Sequence, residues 1–286
     1  DKKHRSSVRR GFRWLEANIN KDGSYGDTPD SPGNVSTSLL VYAAAHLLKK
    51  HEKGAPAVLQ RISGYLARQG IDVHSSQVSK AILAHYEKDF TFSVPILAMS
   101  GLCGVPGKRA FDAIPQLPFE LGMLPRRFYR LLNLSVVSYA IPALVAVGIL
   151  IFKKKESNWF WRLIRHFSIG RGLRLLRRML PESGGYLEAN PLTAFVCLSL
   201  KGAGFKNNEV VNKGIHFLKQ TQRSDGSWPI DVDLSSWVTS LAVKAFRKDI
   251  NGFLTTDQQD AVADHFKLLQ NERVHPFNGT GPGGWG

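Results

Sequence analysis

The feature that most constrains the fold is an internal repeat that joins the two halves of the chain. Residues 11–25 read GFRWLEANINKDGSY and residues 214–228 read GIHFLKQTQRSDGSW. They align without a gap: Gly11 with Gly214, Trp14 with Phe217, Leu15 with Leu218, and Asp22-Gly23-Ser24 with Asp225-Gly226-Ser227. Such self-similarity marks architectures built by stacking one supersecondary unit. Each copy reads as an amphipathic helix that runs into a polar Asp-Gly turn and then an aromatic residue. A second, more apolar helix follows, over 35–48 after the first copy and over 234–246 after the second. Glycine supplies the positive φ that a tight turn needs, and the aromatic ring can stack on the helix that ends there. Weaker relatives are GGYLEANPLTAFVCLSL at 184–200 and the terminal FNGTGPGGWG.

Helix pairs with the less polar member inside predict an all-α fold, an α/α barrel or toroid closed by five or six pairs. No run of alternating strands competes, so one α-helical domain is expected over residues 1–286. A hydrophobic content of 43% with 21% charged residues excludes a disordered tail and suits a packed core. Cys103 and Cys197 each sit in an apolar run with no zinc-type spacing around them, which suits buried thiols in a reducing compartment.

The formal charge of +15 is concentrated in the middle third, in Arg126, Arg127, Arg130, Lys153 to Lys155, Arg162, Arg165, Arg171, Arg174, Arg177 and Arg178. A basic zone of this kind asks for an anionic partner. It brackets the apolar stretch 131–152, LLNLSVVSYAIPALVAVGILIF, which favours an anionic membrane surface over nucleic acid. A solvated basic face is the plainer alternative. The stretch has the length of a membrane span. Asn133, Ser135, Ser138, Tyr139 and Pro142 within it argue instead for a buried barrel helix or a plate dipping into one leaflet. No signal-peptide pattern is visible, so a cytoplasmic protein held peripherally or monotopically at the membrane is expected.

The turn that follows Gln220 and carries Gly226 and Trp228 is similar to the QW motif of squalene-hopene and oxidosqualene cyclases. Four further segments resemble squalene-hopene-cyclase-like bacterial proteins: FTFSVPIL at 90–97, LPFELGMLPRRFYRLL with SVVSYAIPALVAVG within 117–148, GGYLEANPLTAFV at 184–196, and DGSWPIDVDLSSWVTSL at 225–241. The resemblance implies a class II terpene cyclase domain of the β type. Such a domain cyclises an isoprenoid chain by protonating it, at one membrane leaflet and with no metal or other cofactor. A single domain of this size is most similar to monodomain members that act on prenylated aromatic acids. The family acid lies in a DxDD motif, which is absent here. In the relatives that motif follows a segment like PGGWG, and Pro282 to Gly286 read PGGWG, so the acid is expected either just past Gly286 or elsewhere in the chain.

Protonating an alkene needs a carboxylic acid kept neutral by apolar surroundings and oriented by a hydrogen-bond partner. Asp89, among Tyr86, Phe90 and Phe92 and four residues after His85, fits that description best; the plainer alternative is a helix cap. Asp231 and Asp233 in PIDVDLSS are the next candidates, with helix capping by Asp233 or Ser235 as the alternative and an orienting role open to Asp231. Carbocations are sheltered by aromatic faces. Phe90, Phe92, Tyr139, Phe195, Trp228 and Trp237 are the candidate cavity walls, while Trp14 and Tyr25 read as structural. Arg126 and Arg127, with Arg130, could pair with a substrate carboxylate or diphosphate, or equally with lipid phosphate.

Two readings from other classes stay open. A protein prenyltransferase subunit would need a zinc set of Asp, Cys and His, and neither cysteine has an Asp two residues before it. A non-catalytic lipid-binding barrel would account for the basic zone and the missing DxDD. Class I ionisation lacks its DDxxD, and glycoside hydrolysis lacks an obvious carboxylate pair.

Overall fold

The computed structural model describes residues 4–75, 77–87, 89–107, 109–121, 141–246, 249–274 and 280–285. These residues form helices and turns, with two isolated bridges, Tyr25 with Asn34 and Ala189 with Asp231, and no strand. In chain order the helices are α1 (Arg5–Ala17), α2 (Val35–Leu48), α3 (Ala55–Arg68), α4 (Gln77–Tyr86), α5 (Phe90–Leu102) and α6 (Ile141–Lys154). They continue with α7 (Trp159–Met179), α8 (Asn190–Gly202), α9 (Glu209–Gln220), α10 (Ser235–Phe246), the short α11 (Ile250–Phe253) and α12 (Thr256–Leu268).

Two layers follow from composition. Helices α5 and α6 are apolar around their whole circumference: Ser93 to Ser100 are buried without interruption in α5, and so are Val145 to Ile151 in α6. A helix without a polar face must be surrounded by protein. Accordingly α5 packs on α2, α6 and α8, and α6 packs on α8. The amphipathic helices cover this layer, α3 on α2, α4 on α5, α7 on α6 and α9 on α8. Their buried positions recur at helical spacing, as Ala55, Val58, Ile62 and Tyr65 do in α3. The second half of the apolar stretch 131–152 is therefore a core helix. Among the described residues no helix is long and apolar enough to cross a membrane.

The repeat is a recurring piece of structure whose parts can be named. In each copy the polar atom of the aromatic residue donates to the carbonyl ten residues earlier, in the helix that has just ended: Tyr25 Oη to Leu15 O at 2.6 Å, Tyr186 Oη to Leu176 O at 2.8 Å, and Trp228 Nε1 to Leu218 O at 2.6 Å. The bond gives a donor to a carbonyl of the last helical turns, where the intrahelical donors run out; Leu15 O also accepts from Asn18 N at 3.2 Å. Trp285 Nε1 does the same to Phe266 O at 2.7 Å, across a spacing of 19 residues. In the two Asp-Gly-Ser copies Oδ1 of Asp22 and of Asp225 accepts both the N–H and the hydroxyl of the serine two residues on.

Each of the first three turns also docks on another outer helix through its glycine. A Cβ on Gly23 (φ +85°) would lie 2.6 Å from Arg61 O of α3, on Gly184 (φ +87°) 2.7 Å from Lys213 O of α9, and on Gly226 (φ +98°) 2.5 Å from Arg10 O of α1. Only glycine fits there, on both backbone and steric grounds. The last of these contacts joins parts of the chain more than two hundred residues apart. Arg10 Nη2 donates to Gln222 Oε1 at 2.8 Å, Gln222 Nε2 donates to Ser7 O at 2.9 Å, and the Trp228 ring covers Gly11.

Candidate functional site

The nominated residues divide by their surroundings. Asp89 is exposed and caps α5, its Oδ1 accepting from Thr91 N at 2.8 Å. His85 does not share a helix face with it, because α4 ends at Tyr86 and α5 begins at Phe90, with Glu87 at φ +49° between them. The exposed His85 ring instead meets Tyr86 edge-on at 5.0 Å, and Tyr86 stacks with Phe92 at 6.3 Å. Phe90 and Phe92 face solvent, Phe92 at 56% exposure, so this aromatic cluster encloses no cavity among the described residues.

Asp231 and Asp233 lie where the chain leaves the Trp228 turn. The backbone of Asp231 bridges to Ala189, and the bonds from Asn190 N to Ile230 O and from Val232 N to Glu188 O tie this strip to the turn before α8. Asp233 is exposed and accepts from Ser235 N at 2.9 Å at the start of α10. That backbone bond, with the Ser235 hydroxyl second, lowers the Asp233 pKa below the usual carboxylate value. The direction favours a capping anion and opposes a neutral proton donor.

Among the aromatics, Phe195 is half-buried against the core cluster built on α2, α3 and α5, and the Trp228 ring and N–H are committed to Gly11 and Leu218. Trp237 is exposed in an open groove of about 600 Å³ that it shares with Leu241, Phe266 and Trp285. Arg126, Arg127, Arg130 and Tyr139 lie outside the described residues. Trp14 is half-buried and Tyr25 buried; burial drives the Tyr25 phenol up to about 12, so it stays a neutral donor to Leu15 O. Burial also raises both free thiols, Cys103 to about 11 and Cys197 to about 12, which keeps them protonated and unreactive.

Two constellations escaped the sequence reading. Glu120 Oε1 accepts from Arg165 Nε and Nη2 at 3.2 and 3.1 Å, both side chains are almost fully buried, and the Arg165 guanidinium lies 5.1 Å from the Trp161 ring centroid. Glu120 Oε2 is buried with no hydrogen-bond partner among the described residues. Only the packing of the 117–121 segment against α7 brings these groups together. The second constellation is the outer face of α7, where Trp159 (77% exposed), Phe160, Leu163 and Phe167 (70%) form an apolar stripe bordered by arginines. Its sequence signal is the run WFWRLIRHF, in which aromatic residues alternate with the basic ones.

Among the described residues no group of three His, Cys, Asp or Glu side chains is placed to hold a metal ion, so the prenyltransferase alternative has no ligand set there. No protein-family model matches the chain, and no curated protein is detectably similar to it in sequence.

Proposed function

We propose that this chain acts as a squalene-hopene-cyclase-like class II terpene cyclase domain, an α/α barrel that works on a long isoprenoid substrate, such as a prenylated aromatic acid, at one leaflet of a membrane. The observation that carries the reading is the aromatic turn, formed four times among the described residues with the same ring-to-carbonyl bond and docked three times there through the same glycine position. The return of the third docked turn to α1 is the contact that a closed ring of outer helices requires. The apolar stripe of α7 supports a peripheral seat on lipid. In this reading the reaction starts by proton transfer to a carbon–carbon double bond, uses no metal, and shelters the resulting cations with aromatic rings.

The test is incubation of the protein with squalene or a geranylgeranylated aromatic acid in the presence of a chelator. Cyclic product is expected, and its absence from both substrates would remove the reading. Asp89→Asn separates the two roles open to that residue, because Asn caps a helix as well as Asp does. Lost turnover with an unchanged fold assigns the proton to Asp89, and unchanged turnover takes it away.

A second reading, a non-catalytic lipid-binding helical barrel, is favoured by one observation: Asp89 and Asp233 are exposed, and Asp231 is half-buried with its backbone bridged to Ala189. It predicts vesicle binding without turnover of either polyene.

A further inference from the structure

The junction between α6 and α7 holds a second kind of site, next to the apolar stripe of α7. Here the chain turns through 155–158, and an open cavity of about 680 Å³ is lined by Lys153, Lys154, Lys155, Glu156, Arg162 and His166. Among the described lining residues, the side chains of Lys153, Lys154, Lys155 and Arg162 face the single carboxylate of Glu156. Lys155 is partly spent, donating to Asp112 O at 2.9 Å and Ile114 O at 3.1 Å, which anchors the rim. Lys153, Lys154 and Arg162 are exposed and have no carboxylate partner among the described residues. The N-terminus of the 21-residue α7, capped by Asn158 Oδ1 on the N–H groups of Phe160 and Trp161, adds a positive helix end to the same mouth.

Helical spacing ties this cationic cavity to the stripe. Trp159, Arg162, Leu163 and His166 follow one another at steps of three, one and three along α7, so the cavity wall and the exposed rings occupy neighbouring faces of a single helix. A phosphate that enters the cavity thus has an apolar surface beside it. Such an amphiphilic occupant matches the chemistry of both halves, whereas a soluble anion matches only one.

We propose that the α6–α7 junction is a phosphate-headgroup pocket that seats an anionic glycerophospholipid of the leaflet while Trp159, Phe160 and Phe167 enter its apolar layer. The inference rests on the membrane reading above and goes beyond it by naming a discrete headgroup site. Diffuse attraction would depend only on the number of cations near the surface. A pocket depends on which cations they are.

The experiment is vesicle co-sedimentation of the whole chain at physiological salt, with phosphatidylglycerol in phosphatidylcholine against phosphatidylcholine alone. The triple variant K153Q/K154Q/R162Q is expected to lower affinity for the anionic vesicles by about a hundredfold. The triple variant R171Q/R174Q/R178Q, which removes the same formal charge from the exposed far end of α7, is expected to lower it by about tenfold or less. Equal losses in the two variants would overturn the pocket and leave the membrane reading standing. No vesicle binding by the unaltered chain would overturn both. Trp159→Ala with Phe167→Ala is expected to abolish binding to both kinds of vesicle, and binding that persists unchanged would sink the role given to the stripe. Tryptophan fluorescence with inorganic phosphate alone distinguishes a free anion: saturable binding that anionic vesicles do not compete away would overturn the lipid assignment. So would tighter binding of a single-stranded oligonucleotide that the first triple variant abolishes.

Discussion

Trp228 and Trp285 complete the same turn in two places with different outcomes. Both indole N–H groups reach back to a helix carbonyl, and both turns carry a glycine in the left-handed region, Gly226 at φ +98° and Gly283 at φ +82°. The backbone pairing recurs too, Arg223 N to Ser227 O in one and Asn271 N to Gly284 O in the other. Yet Gly226 sits on the carbonyl of Arg10, and among the described residues nothing lies within 4 Å of the corresponding open side of Gly283. Helices α10, α11 and α12, between these two turns, contain no buried residue. The turn is thus a local device that forms from its own hydrogen bonds. Docking is a separate step that needs a neighbouring outer helix, and it is the docked copies that belong to the cooperative core.

Substituting the paired glycines should break this contrast most sharply. Gly226→Ala places a side chain in a left-handed position and against a backbone carbonyl, which should cost about 3 kcal/mol in urea unfolding. Gly283→Ala meets only the backbone preference and should cost about 1 kcal/mol or less. Equal losses would mean that the final turn is docked as firmly as the third.

A smaller effect isolates the ring-to-carbonyl bond inside the core. Tyr186 is fully buried, and burial pushes its phenol well above the ordinary tyrosine value, so the hydroxyl is a neutral donor to Leu176 O. Tyr186→Phe leaves Leu176 O without that donor and should destabilise by about 1–2 kcal/mol. A neutral outcome would show that the bond contributes geometry and no stability.

The smallest effect is in acid. The Asp22 carboxyl is held below its usual value first by the Ser24 hydroxyl, and the Asp225 carboxyl first by the Ser227 N–H. A depressed acid adds stability that is complete above its unfolded value of ~3.9 and disappears as pH falls through the lower folded value. The double variant Asp22→Asn, Asp225→Asn should therefore show a flatter fall of the urea midpoint below pH about 4. An acid limb parallel to that of the unaltered protein would remove these two turns as contributors.

How far the sequence was legible depended on the range of the interaction. Helices α5 and α6 could be read as interior because a helix apolar on every side has nowhere else to go. The turns could be read because Asp, Gly, Ser and the aromatic residue each fill a fixed local role. The nominated site was less legible. Asp89 has the composition expected of a buried acid around it, yet a helix break at Glu87 turns it outward into a cap and separates it from His85. Glu120 could not have been found, because its arginine lies 45 residues away.

What the sequence determined by itself is the helical class, the two-layer polarity and the repeated turn, since each depends on residues within one or two helical turns of one another. What only the tertiary structure decided is which helix each turn docks on, that Arg10 and Gly226 meet, that Arg165 neutralises Glu120, and that the cations of the α6–α7 junction line one cavity beside an exposed aromatic stripe. Those contacts join residues far apart in the chain, and their free energy depends on how whole helices pack, which no local spacing encodes.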